Sequence, residues 1–143
     1  MTPKELYLEA MRRTDAHDLE GFLELQADDA EWAVPGAKVR GKDELRQWLA
    51  PFYTGFSDYR HHITRVFEQG NIVWAEGTWT GTNDGPLVTP EGEAPATGRT
   101  VSFDFGMSLT IDEARAQATE VNIYFDQLGF LGQLGLIPEA AAG

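Results

Sequence analysis

The amino-acid sequence predicts an α+β domain, with three N-terminal helices on one face of a curved, mainly antiparallel sheet. Three observations carry that prediction. Apolar residues recur at helical spacing as far as Tyr53. From Asp58 onward the spacing changes from a period of about 3.6 to one of about 2, and alternation continues to Asp126. Helices therefore come first and strands afterwards, the order in which helices are segregated onto one side of an antiparallel meander.

Residues 4–16 place Leu6, Tyr7, Ala10 and Met11 on one side and charge on the other, which predicts a first amphipathic helix. Asp18 then reads as the N-cap of a short second helix carrying Leu19, Phe22, Leu23 and Leu25. The stretch 29–36, DAEWAVPG, alternates and ends at Pro-Gly, as a short strand and turn do. Leu45, Trp48, Leu49 and Phe52 follow at i, i+3, i+4 and i+7, a third helix that Pro51 is placed to terminate. Long strands are expected over 58–69, 71–82, 99–111 and 115–126, linked by Gly70-Asn71, a Gly/Pro-rich loop over 83–98 and the acidic turn 112–114.

A chain of 143 residues fits one domain, here 1–143. At that length about 68–70 % of the unfolded surface can be buried, enough for a core with a pocket. There is no cysteine, which removes disulfides, thiolate metal sites and cysteine nucleophiles. Eleven Lys and Arg against 23 Asp and Glu leave a formal charge of −12, which opposes nucleic acid and anionic membranes as partners. The N-terminus alternates charged and apolar residues without an apolar signal core, and no apolar run approaches the roughly 18 residues of a membrane span. A soluble, cytoplasmic protein acting on a small molecule is expected.

The last strand holds the most information about function. Glu120, Asn122, Tyr124 and Asp126 share one face by alternation, and Val121, Ile123 and Phe125 share the other. Either the apolar row packs on the helices and the polar row meets solvent, or the polar row lines a pocket and the apolar row is buried against another subunit. The preceding strand repeats the choice, with Ser102, Asp104, Gly106 and Ser108 opposite Val101, Phe103, Phe105, Met107 and Leu109. Asp126 itself has two readings, a cap for a helical tail beginning at Gln127 or a chemical group.

Several stretches resemble one family. The tail 126–136, DQLGFLGQLGL, is similar to the ending of SnoaL-like polyketide cyclases, and 79–85, WTGTNDG, and 94–103, APATGRTVSF, are similar to two of that family's internal elements. With 41–49, GKDELRQWL, and 58–63, DYRHHI, the similarity runs in order over most of the chain. The resemblance implies the nuclear-transport-factor-like α+β cone, in which three helices cover a strongly curved sheet around a deep pocket. It implies that the concave sheet face lines that pocket and that the convex face makes a homodimer. By this analogy the row from Glu120 to Asp126 becomes pocket wall.

The activity implied is an intramolecular aldol-type cyclisation of a polyketide-like, apolar and oxygen-bearing substrate, without metal or cofactor. The position matching Asp126 would be the general acid and base, its basicity raised by burial. Candidate substrate-binding residues are Trp32, Tyr53, Phe56, Trp74 and Tyr124 for their flat area, and His61, Asn83, Asp104, Glu120 and Asn122 for their polar groups. His61 and His62 are adjacent, so only one can face a pocket. No HxH or HExxH spacing supports a metal site. The chain departs from the family at Asn83, where His is usual, at Asn122, where Trp is common, and at Glu76, where Arg is common. Those departures leave open an epoxide-hydrolase-like or ketosteroid-isomerase-like enzyme, and a non-catalytic binding protein.

Overall fold

The computed structural model describes residues 1–138. Thr2 opens the first helix: its hydroxyl accepts from the Glu5 N–H at 3.1 Å while the Glu5 carboxylate accepts from the Thr2 N–H at 2.8 Å. This capping box satisfies two donors that an unfinished helix leaves open, and α1 runs Pro3–Asp15. Asp18 caps α2 (Leu19–Glu24) as expected, accepting from Gly21 N at 2.9 Å. Strands β1 (Gln26–Val34) and β2 (Ala37–Arg40) make a hairpin, and α3 spans Gly41–Gly55.

Pro51 does not end α3. It lies inside the helix, which continues to Gly55, because proline removes a single i−4 bond and Thr54 Oγ1 adds bonds to the Ala50 and Pro86 carbonyls at 3.0 and 2.7 Å. After α3 come β3 (Arg60–Gln69) and β4 (Ile72–Thr82). The Gly/Pro-rich loop contains a small hairpin absent from the sequence reading, β5 (Leu87–Thr89) and β6 (Gly92–Ala94). The chain then forms β7 (Thr100–Asp112), β8 (Gln117–Phe125) and a fourth short helix, α4 (Gln127–Gln133).

The main sheet has the order β2-β1-β8-β7-β4-β3. Its pairings are antiparallel except β1 with β8, which are parallel because β8 returns beside the strand that opened the sheet. Register shifts in β3 between Ile63 and Arg65, between Thr110 and Ile111, and in β1 between Gln26 and Glu31 bend the sheet over the helices. The β1 irregularity also explains why only its second half, from Asp29, was visible as alternation.

Buried side chains of the helices and of the concave sheet face form one cluster that includes Leu6, Tyr7, Leu45, Phe56, Val73 and Val121. Tyr7 Oη to Met107 Sδ at 3.5 Å ties α1 to β7. Among the described residues no helix is long and apolar enough to cross a membrane.

Candidate functional site

The apolar rows, not the polar ones, face inward. On β8, Val121 is buried and Ile123 and Phe125 line the interior chamber, whereas Glu120 is exposed and Tyr124 is 59 % exposed. The expectation that Glu120, Asn122, Tyr124 and Asp126 wall the pocket is therefore corrected. Apolar burial decides the orientation: turning Val121, Ile123 and Phe125 outward would leave three large apolar groups in water and polar groups against the helices.

The outer face satisfies its own polar groups. Thr78 Oγ1 donates to Asp104 Oδ1 at 2.7 Å, Trp74 Nε1 donates to Glu76 Oε2 at 2.7 Å, and Asn122 Nδ2 donates to Ser108 Oγ at 3.3 Å. Trp74, Asp104, Glu120, Asn122 and Tyr124 are thus on the wrong side of the sheet for the pocket.

Asn83 is also corrected, for a different reason. It is fully buried and spent on the chain itself. Its Nδ2 donates to the Gly55 and Gly85 carbonyls at 3.0 and 3.1 Å, and its Oδ1 accepts from Thr97 N and Thr97 Oγ1 at 2.7 and 2.8 Å. It locks the loop that carries β5 and β6 to the end of α3, leaving no group for a ligand.

Two cavities lie on the concave side and share Trp48, Phe52 and Phe125 in their walls. The outer one, about 550 Å³, opens between α3, the β5–β6 hairpin and α4, with Phe56, Leu87, Phe130 and Leu134 around it. The inner chamber is about 60 Å³, room for roughly two waters, and is walled by aromatics including Trp32, Tyr53, Tyr59 and Trp79. Packed rings stiffen the wall: Trp79 stacks on Phe103 at 5.1 Å and Phe52 on Phe130 at 5.8 Å.

One end of the inner chamber is polar. His61 reaches it from β3, and its Nδ1 lies 2.7 Å from Asp15 Oδ1 at the last turn of α1. The same carboxylate receives the His61 backbone N–H at 3.2 and 3.3 Å, so it grips both the ring and the strand. His61 and Asp15 side chains are only 16 % and 20 % exposed. An ionised carboxylate only accepts, so the neutral ring carries its proton on Nδ1 and leaves Nε2 as a bare acceptor. His62, its neighbour, points outward near Thr80.

Beside His61, Thr14 Oγ1 lies 2.7 Å from Tyr53 Oη and 2.8 Å from Tyr59 Oη. Tyr59 also donates to the Thr14 carbonyl. Burial pushes the pKa of both phenols up, so each keeps its proton. The arrangement therefore offers a half-buried, oriented imidazole with a carboxylate behind it, in an apolar chamber that shares part of its wall with the larger cavity. Such a group can take a proton from a ligand and return it.

The family model for the SnoaL-like domain matches residues 6–118. The chain belongs to the SnoaL-like family. No curated protein matches it. Among solved structures, AclR from Streptomyces galilaeus, described as a proposed hydroxylase, is 20 % identical, with 95 % of this chain and 82 % of that one covered at a TM-score of 0.79. A proposed SnoaL-like polyketide cyclase from a Jannaschia species is 18 % identical over 95 % and 93 % of the two chains, with a TM-score of 0.78. TerC, crystallised with polyporic acid, is 24 % identical over 94 % and 99 %, with a TM-score of 0.70. At these identities the likeness is one of fold.

Within this SnoaL-like fold Asp126 is exposed and accepts from Gly129 N at 2.9 Å, capping α4. It is absent from the walls of both cavities, although Phe125 and Gln127 on either side contribute. Of the sequence candidates, Trp32, Tyr53, Phe56 and His61 reach the cavities. Thr14, Asp15 and Tyr59 were missed. One signal for Asp15 was present: a carboxylate in the last turn of a helix opposes the helix dipole, which suggests a use elsewhere. Among the described residues no three of His, Asp and Glu come together as a metal site.

Proposed function

We propose that this SnoaL-like protein is an enzyme that moves protons on a small, apolar, oxygen-bearing molecule, with His61 as the base and Asp15 as the group that orients it. The observation that carries this reading is the His61–Asp15 contact at 2.7 Å, which aims the free nitrogen of a half-buried imidazole at an aromatic chamber. Asp126 is the weaker candidate, since its carboxylate already serves the backbone of α4 in solvent.

The reaction that suits the geometry and the fold is an aldol-type ring closure. His61 Nε2 removes a proton from a carbon flanked by carbonyls, giving an enolate and an imidazolium that Asp15 stabilises. The enolate carbon attacks a second carbonyl of the same molecule, forming the new C–C bond and an alkoxide. The imidazolium returns its proton to that oxygen, and the base is restored. Trp48, Phe52 and Phe125, shared by the inner chamber and the outer cavity of about 550 Å³, hold the bulk of the chain folded in the outer cavity with its reacting end toward His61, so the two reacting carbons meet at high effective concentration. The solved fold of TerC with polyporic acid supports an organic ligand for a chain of this shape.

The test is exchange of acidic C–H for deuterium on a model β-diketone, followed by NMR. Catalysed exchange that is lost in His61→Ala and retained in Asp126→Asn supports the reading. Exchange lost in Asp126→Asn and kept in His61→Ala contradicts it. Incorporation of oxygen-18 from water into the product would instead mark a hydrolase of the epoxide-opening kind.

A further inference from the structure

The hydrogen bonds around Thr14 fix where each proton lies. A backbone carbonyl cannot donate, so the Tyr59 hydroxyl proton goes to the Thr14 carbonyl. The 2.8 Å contact between Tyr59 Oη and Thr14 Oγ1 must then use the proton of Thr14. With that proton spent, the 2.7 Å contact between Thr14 Oγ1 and Tyr53 Oη uses the proton of Tyr53. The chain of donation runs Tyr53 to Thr14 to Tyr59 to the Thr14 carbonyl, and it ends with no proton left on Tyr53 for a ligand. Its oxygen keeps lone pairs only.

In its neutral form His61 reaches the same condition by another route, because its one ring proton is held by Asp15. Trp32 Nε1, on the same wall, is donated to Gln26 Oε1 at 3.0 Å. The polar end of the inner chamber thus presents acceptors. We infer that the ligand of this site enters with a hydroxyl at its leading end, a phenol or the enol form of a β-dicarbonyl, and that Thr14 is the positioning residue that sets this preference.

This rests on the reading of the chamber as the active site and names the substrate class for it. A bare ketone or ether oxygen pushed against His61 and Tyr53 would meet lone pairs and lose its water without replacement, which is the costly case for a buried polar group. The Trp32 and Trp74 indoles are committed to Gln26 and Glu76, whereas Trp48 and Trp79 also line the chamber and carry the indole N–H groups that a carbonyl elsewhere on the ligand would need. A keto-enol has both ends. Its enol proton also passes directly to Nε2, giving the enolate and the imidazolium with no other reactant. The rim residues Glu91 and Glu93 of the outer cavity disfavour a carboxylate on the part left outside.

The experiment is calorimetric titration of the intact chain with naphthol, its methyl ether and acetylnaphthalene, three probes of similar apolar area that differ in having or lacking an O–H. Naphthol is expected to bind about tenfold more tightly than either of the others. In Thr14→Val, Tyr59 still donates to the backbone carbonyl while Tyr53 regains a free proton. Acetylnaphthalene should then gain affinity and the ranking should close to within about threefold. Thr14→Ser keeps the relay and should keep the ranking of the unmodified chain. Tyr53→Phe should weaken naphthol and leave the methyl ether unchanged.

Equal binding of naphthol and acetylnaphthalene, or a ranking that Thr14→Val does not move, overturns the inference while leaving the chamber as a binding site. Failure of all three probes to bind overturns the chamber itself and this inference with it. Loss of the deuterium-exchange activity proposed above, with the probe ranking intact, would separate a wrong reaction from a right pocket.

Discussion

Asp15 and Asp126 both sit at helix ends, and they behave in opposite ways. Asp126 lies at the N-terminus of α4, where backbone N–H groups need an acceptor and the helix dipole favours an anion. Its place is explained by its own helix. Asp15 lies in the last turn of α1, where the dipole opposes it, and its oxygens reach across to His61 on β3 instead. A charge that helps the element it belongs to needs no further reason. A charge that works against its element and is turned toward a half-buried histidine is the one to suspect of chemistry.

The largest effects expected are on turnover. His61→Ala should lower kcat by about 10²–10⁴-fold, the usual contribution of a positioned proton-transfer group. Asp15→Asn should lower it by roughly a hundredfold by loosening the tautomer and ring orientation, again within the range for such groups. Asp15→Asn relieves an unfavourable anion at the end of α1 but weakens the charge-assisted bonds to the His61 ring and backbone, the larger of the two effects, so the Tm should fall by a few degrees. Asp126→Asn should do neither, since asparagine caps as well as aspartate. If Asp126→Asn were as damaging to turnover as Asp15→Asn, the contrast between the two helix ends would fail.

Next come effects on stability. Asn83→Ala strips partners from the Gly55 and Gly85 carbonyls and from Thr97 N, and should cost about 2–3 kcal/mol in urea unfolding. The affinity of the cavity for naphthol in the molecules that remain folded should not change. A loss of affinity with unaltered stability would restore Asn83 as a ligand contact. Asp126→Ala should cost about 1 kcal/mol and Asp126→Asn a few tenths at most, as expected for a cap alone.

The smallest expected effect is on acid stability. Hydrogen bonds from Arg12 and Arg13 hold the Glu9 carboxyl down at about 2, against an ordinary value of 4.5. A depressed acid stabilises the folded chain fully above its unfolded pKa and loses that contribution as pH falls through the folded one. The Glu9 share should therefore be complete above about 4.5 and gone below about 2. Glu9→Gln should flatten the acid limb of stability within that window and leave the neutral plateau nearly unaltered, measured by urea midpoints against pH.

Much of the fold was legible because helix and strand periods are local. The first helix was read as 4–16 against an observed Pro3–Asp15, and the strands read as 99–111 and 115–126 are β7 and β8 within a residue or two. The hairpin inside the 83–98 loop was not legible, since each of its strands is three residues long and shows no repeat. The sheet's orientation is more instructive. Alternation showed which residues of β8 share a face, but not which face meets the helices, and analogy with the family turned the polar row inward. Burial of Val121, Ile123 and Phe125 turned it out.

The site was half legible for a related reason. Trp32, Tyr53, Phe56 and His61 advertise themselves by type, as large or titratable groups. Asp15 does not, because its partner is 46 residues away and only the packing of α1 against β3 brings them together. Thr14 was invisible for the same reason: its role depends on two hydroxyls 39 and 45 residues distant.

The most direct measurement is the tautomer of His61, read from nitrogen-15 correlation spectra of its imidazole at a pH where the ring is neutral. A proton fixed on Nδ1 with a bare Nε2, and loss of that preference in Asp15→Asn, is the result this account predicts. A proton on Nε2, or a tautomer indifferent to Asp15, would contradict it and leave the chamber without its base.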